Sequence, residues 1–211
     1  MYIYSIIITV NDMNYPNGIR KQAKNKAFIL DNHANRGMSL EDEINKTNEY
    51  YRESNIAIIY KKPTPIKITK VDYPSRKGAT IKEAYFMTPS TTDYNGIYKG
   101  KYIDFEAKET KQTTSFPLNN IHKHQIKHLN DICTHGGIGF LIIRFTNLNK
   151  TYLLTEKALN DFIQKENKKS IPLSYFEKHG HLIKDKFIPR VDYIEIINEL
   201  YIEGGKTWKK N

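Results

Sequence analysis

The stretch Tyr102-Ile103-Asp104-Phe105-Glu106-Ala107-Lys108 decides how this chain folds. From Ile103 onward apolar and charged residues alternate, and successive side chains of a strand point to opposite faces. Ile103, Phe105 and Ala107 therefore enter one apolar layer, while Asp104, Glu106 and Lys108 share the other face. Upstream, Gly100 between Tyr98 and Tyr102 marks a hairpin turn, and Asn95-Gly96 allows a bend or bulge. If Asp93 lies on the partner strand of that hairpin, it brings a second carboxylate alongside Glu106. Two carboxylates from neighbouring strands suit hard, oxygen-loving Mg²⁺, and Lys108 beside them suits charge developing on a phosphate. The plainer alternative is a solvent-exposed hairpin face with an ordinary Glu/Lys pair, since E-x-K alone is common.

Working outward, Ser39 is an N-cap with Asp42 three residues on. Leu40, Ile44, Thr47 and Tyr51 recur at helical spacing, so a helix runs to about Glu53, followed by a short buried strand over Ile56 to Tyr60. Between Lys61-Lys62-Pro63 and Thr88-Pro89, two extended arms flank a basic turn at Tyr73 to Gly78. They form either a protruding β-ribbon or a hairpin within the main sheet, and the scarcity of residues able to bury both faces favours protrusion. Asn120 to Thr134 has helical periodicity and ends at Gly136-Gly137. Gln125 falls on its apolar stripe of Ile121, Leu129 and Ile132, so its amide needs a partner: a metal, a metal-bound water or a backbone carbonyl. Ile138 to Phe145 reads as a buried central strand. Thr151 to Leu154 is a strand, Glu156 to Lys165 a helix, and Val191 to Ile202 a terminal helix. The order is that of a mixed α/β domain, a sheet flanked by helices with a ribbon appended.

The 211 residues carry 33 Lys and Arg against 23 Asp and Glu, a net charge of +10, and hydrophobic residues at 39% suffice for a core. That excess points to a polyanionic partner, with nucleic acid favoured over a membrane because no lipidation signal or long Lys-rich amphipathic helix is present. No apolar run approaches the ~20 residues of a membrane span. The single Cys133 excludes an internal disulfide framework and reads as a packing residue, and the whole is expected to be a soluble, cytoplasmic protein. No Walker A loop, GxGxxG fingerprint or GxSxG elbow occurs, which argues against nucleotide hydrolysis, dinucleotide oxidoreduction and esterase chemistry. His124 and His128 share a helical face without an HExxH pattern, and a solvated helix face is favoured over a zinc site. Residues 1–34 are expected to be an extension and basic arm, with Met1 to Val10 an added strand or upstream extension and Met13 the more natural beginning.

Several blocks are long enough to carry a family resemblance: NRGMSLEDEIN (35–45), KKPTP (61–65), STTDYNGIYKGKYIDFEAKET (90–110), SFPLNNIHKHQ (115–125) and PRVDYI (189–194). Through them the chain, from about Asn14 to Tyr201, resembles the bacterial RecU Holliday-junction resolvases within the PD-(D/E)xK nuclease superfamily. The resemblance implies a restriction-endonuclease-like nuclease domain over 35–203, a stalk at about 62–87 and a C-terminal tail over 204–211. It implies that Asp93, Glu106 and Gln125, with Thr91, bind Mg²⁺, with Mn²⁺ as a substitute, and that Lys108 stabilises the transition state. Glu41 resembles an accessory acid that many superfamily members place beside the metal. In the family the stalk enters the open centre of a four-way junction, which makes Arg76, Lys77, Lys82 and Phe86 candidates for DNA contact. Arg36 is a candidate phosphate ligand.

The resemblance also implies a homodimer, in keeping with the two paired cuts that a two-fold symmetric junction requires. The expected activity is Mg²⁺-dependent paired hydrolysis of four-way DNA junctions in recombination and repair. The alternatives are a duplex-cutting nuclease of the same superfamily, a non-catalytic junction or single-strand binder that modulates a strand-exchange recombinase, and an RNA-binding module.

Overall fold

The computed structural model describes residues 38–75, 78–87, 91–166 and 168–203. Helix α1 (Leu40–Glu53) opens at Ser39, whose hydroxyl accepts from the Asp42 N–H at 3.2 Å. It closes where Asn55 takes a left-handed conformation (φ 59°) and the Ile56 N–H donates to the Tyr51 carbonyl at 2.8 Å. That turn consumes Ile56 and Ala57, so β1 (Ile58–Lys61) begins two residues later than the apolar run predicts.

A ribbon follows, β2 (Ile66–Ser75) against β3 (Gly78–Phe86), and the hairpin β4 (Tyr94–Tyr98) and β5 (Lys101–Thr110) comes after it. A short β6 (Ser115–Pro117) and a 3₁₀ turn lead to α2 (Lys123–Thr134) and the wholly buried β7 (Ile138–Phe145). Beyond it lie β8 (Lys150–Thr155), α3 (Glu156–Lys165), β9 (Ser170–Pro172), α4 (Leu173–His179) and β10 (His181–Ile183). The last element, α5 (Tyr193–Ile197), runs into a π-helical turn at Asn198–Glu203. The terminal helix starts later than its apolar pattern suggests because Val191 forms a β-bridge with Asp185.

Six strands make the main sheet in the order β1-β4-β5-β7-β8-β10. Only the β5–β7 pair is parallel, with α2 in the connection between them. The expected mixed sheet flanked by helices is the fold observed. Ile44, Phe105, Phe140 and Tyr193 pack on the face that carries α1 and α5. Leu129, Leu141, Leu154 and Phe162 pack on the opposite face with α2 and α3. Phe105 stacks between Tyr94 (4.7 Å) and Phe140 (4.8 Å).

Two glycines fix the hairpin. Lys99 (φ 44°) and Gly100 (φ 75°) form a two-residue turn with positive φ at both positions, which matches strand twist and locks the register Tyr98↔Lys101. At Gly96 a Cβ would lie 2.1 Å from the Ile58 carbonyl oxygen, so the residue is small because β1 crosses it closely, not because the strand bulges. The ribbon forms its own two-stranded sheet, exposed along almost its whole length, and does not join the main one. Among the described residues no helix is long and apolar enough to cross a membrane.

Candidate active site

Because Tyr94 pairs with Phe105, Asp93 falls opposite Glu106 at the mouth of the hairpin. The Asp93 N–H donates to Glu106 Oε2 at 3.1 Å, so the two acids predicted to meet do meet. Glu106 is fully buried, and the Lys108 ammonium lies 2.5 Å from its Oε1. That oxygen has no donor in hydrogen-bond alignment, so Lys108 attends it as an ion partner set off the bonding direction. Burial is the largest influence on the Glu106 carboxyl, Lys108 opposes it and the neighbouring Asp93 reinforces it, with a net rise to about 7. The carboxylates on this face of β5 are therefore buried, not on the solvent-exposed hairpin face of the plainer reading.

Two crowded acids with one ammonium against them fit a divalent cation bound through oxygen. Among the described residues no three His, Cys, Asp or Glu side chains gather as a metal cage. A pair of carboxylates completed by water and phosphate oxygens is how Mg²⁺ is ordinarily held.

The other expected ligands stand differently. Gln125 is buried, but its Oε1 accepts from the His122 N–H at 3.0 Å at the start of α2. The polar residue on the apolar stripe thus has a local partner in helix capping, a backbone N–H and not the backbone carbonyl expected. The Thr91 hydroxyl donates to the Thr92 carbonyl at 3.3 Å. Glu41, on the first turn of α1, is half-exposed and ion-paired with Lys61. Its charge, with those of Asp93, Glu106 and Asp42, adds to the burial that raises the Tyr94 hydroxyl. Tyr94 is itself buried, and its hydroxyl has no hydrogen-bond partner.

On the ribbon, Phe86 is 84% exposed and sits opposite Ile66, at the root and not the tip. Lys82 lies further out, 3.4 Å from Asp72. Arg36, Arg76 and Lys77 fall outside the described residues, as do 1–34 and 204–211.

Sequence reasoning placed Asp104 on the face of Glu106 without giving it a role. Asp104 is fully buried, and its Oδ2 accepts from Lys62 Nζ (2.8 Å) and Tyr102 Oη (2.9 Å), with His128 Nε2 at 3.2 Å. Its Oδ1 accepts from the Thr92 hydroxyl. His128 is thus not a bare solvated side chain. Cys133 packs as expected, half-buried, its Sγ accepting from the Gly139 N–H at 3.3 Å and its thiol pushed up to about 11, chiefly by burial.

The family model described as RecU, Recombination protein U, matches residues 35–199. The chain is 53% identical over 194 residues to the Holliday junction resolvase RecU of Geobacillus sp. (strain WCH70), covering 89% of this chain and 96% of that protein. It is 51% identical over 196 residues to the protein of the same name from Bacillus cereus (strain G9842), covering 90% and 98%. Among solved structures, Hjc, a Holliday junction resolvase from Archaeoglobus fulgidus, aligns at TM-score 0.33 and 12% identity over 47% of this chain and 76% of that one.

Proposed function

Because this chain belongs to the RecU family, whose model spans residues 35–199, we propose that it is a junction-resolving endonuclease that cuts four-way DNA junctions in pairs with Mg²⁺ as cofactor. The single observation that carries the chemistry is the meeting of Asp93, Glu106 and Lys108, two crowded carboxylates with one ammonium against them. Asp93 and Glu106 would hold the metal, and Mn²⁺ would serve in its place. When bound, such a metal supplies an activated water and polarises the scissile phosphate.

The protein's own residues do the rest. Lys108, 28% exposed, keeps its ammonium against Glu106 while reaching the open side, where it balances charge developing on the phosphate. Glu106 is held in place by the Asp93 N–H at Oε2 and by Lys108 against Oε1. The net charge of +10 supplies attraction to phosphate without reading sequence, so junction shape does the selecting. The exposed ribbon is the element to occupy the junction's open centre, with Phe86, Lys82, Arg76 and Lys77 as its contacts and Arg36 on the arm. Two like cuts on a two-fold symmetric substrate require two such sites, hence a homodimer.

The test compares a mobile four-way junction with linear duplex of the same sequences. Paired, symmetric nicks in the junction alone, abolished by EDTA and restored by Mg²⁺, are the expected result. Equal rates on duplex would make this a duplex-cutting nuclease, and unpaired nicks would remove the dimer. Phe86→Ala should weaken junction binding by about 1–3 kcal/mol, the worth of one base–aromatic stack. A gel-shift titration in EDTA reads this directly, and an unchanged affinity would take Phe86 out of the interface.

A further inference from the structure

Lys62 is the first residue after β1, immediately before the proline that leads into the ribbon. Its N–H donates to the Asp93 carbonyl at 2.7 Å. Its ammonium reaches Thr92 Oγ1 at 3.2 Å and Asp104 Oδ2 at 2.8 Å. The Thr92 hydroxyl completes the ring by donating to the other oxygen of Asp104. Residues 92 and 93 are thus gripped by both backbone and side chain at the point where the chain has not yet entered the regular pairing of β4.

We infer that Lys62, Thr92 and Asp104 form a positioning clasp that sets the backbone of Asp93 so that its carboxylate and that of Glu106 converge on one cation. The inference rests on the metal reading given above. Asp104 itself, on the same face of β5 as Glu106, is saturated by four neighbours and is a positioning residue and not a ligand. Burying a carboxylate and drawing an ammonium to it costs several kcal/mol of hydration, and apolar residues of similar size fill a core as well or better. With Asp104 two residues from Glu106 and Thr92 next to Asp93, this is the arrangement that orients metal ligands in other sites, where outer partners fix the direction of the inner ones. The clasp also joins two parts of the molecule. Lys62 begins the connection to the ribbon, and His128 lies one helical turn beyond Gln125 on α2.

Three variants of the full chain test it, Asp104→Asn, Thr92→Val and Thr92→Ser, with Asp93→Asn as the reference. Mn²⁺ alone is titrated into each protein by calorimetry without DNA, and the Mg²⁺ concentration for half-maximal junction cleavage is measured alongside. Asp104→Asn and Thr92→Val should bind Mn²⁺ about 10–100-fold more weakly. Their half-maximal Mg²⁺ should rise in parallel, and junction affinity in EDTA should hold. Thr92→Ser, which keeps the hydroxyl, should stay close to the parent. A purely structural role would lower the melting temperature without moving metal affinity measured well below it. Should Asp104→Asn fail to fold, the Thr92→Val and Thr92→Ser pair decides alone. Parental Mn²⁺ binding in Thr92→Val overturns the clasp. Parental cleavage by Asp93→Asn would instead overturn the metal reading beneath it, so the two failures are told apart.

Discussion

Asp93→Asn is expected to lower junction cleavage at least about a thousandfold while leaving junction binding intact. Asparagine keeps the size of the side chain and the backbone N–H that holds Glu106 Oε2, so the hairpin and its register stay as they are. What is lost is one of two anionic oxygen donors. A metal acting on a phosphate is worth several kcal/mol in the transition state, and each 1.36 kcal/mol is tenfold in rate. Glu106 alone, already paired with Lys108, has little net charge left with which to hold a divalent ion. Binding in EDTA should persist, because the proposed interface draws on the ribbon and the net charge of +10 and not on the acids. Single-turnover nicking of a mobile junction and a gel shift without metal separate the two quantities. Cleavage at the parental rate would remove Asp93 from the chemistry.

The parts of the fold legible in the sequence are those with a sustained period. The alternation at 102–108 assigned the two faces of β5 correctly, and the recurrence of Leu40, Ile44, Thr47 and Tyr51 fixed α1 at Leu40–Glu53. The apolar run at 138–145 became the buried centre of the sheet. Residues 170–183 were not read at all. They hold two three-residue strands and a seven-residue helix, and so short a segment shows no period. Their place is set by pairing with β6 and β8, distant in the chain.

The site divides in the same way. That Asp93 meets Glu106 depends on register, and a two-residue turn at Lys99-Gly100 fixes register locally, so their meeting was within reach of sequence. The capping partner of Gln125, the His122 N–H, could not be read, because a cap with His in place of Ser or Thr lacks the usual signature. The alternation placed Asp104 on the right face. Its burial could not be read, because the groups that cover it come from Lys62, 42 residues away, and His128, 24 residues away.

The largest stability effect belongs to a pair with no local signal at all. Glu43 on α1 and Arg144 on β7, separated by 101 residues, meet with Nη2 to Oε2 at 2.6 Å. Both are nearly buried, at 5% and 8% exposed, and Arg144 Nε also donates to Thr151 Oγ1 at 3.0 Å. Arg190 adds a weaker, half-exposed contact to the same carboxylate at 3.4 Å. Removing one member of a buried ion pair strands the other, and that costs about 3–5 kcal/mol. For a protein of this size about 2–4 °C is lost per kcal/mol, so Glu43→Ala should melt roughly 6–20 °C lower. The double variant Glu43→Met/Arg144→Met should recover most of that loss, since the penalty lies in the unpaired charge more than in the missing bond. Neither residue touches Asp93 or Glu106, so the single variant should still cleave junctions well below its new melting point. A thermal melt of the two variants decides it: equal losses in both would place the cost in packing at this position, and no loss in either would mean the pair is solvated.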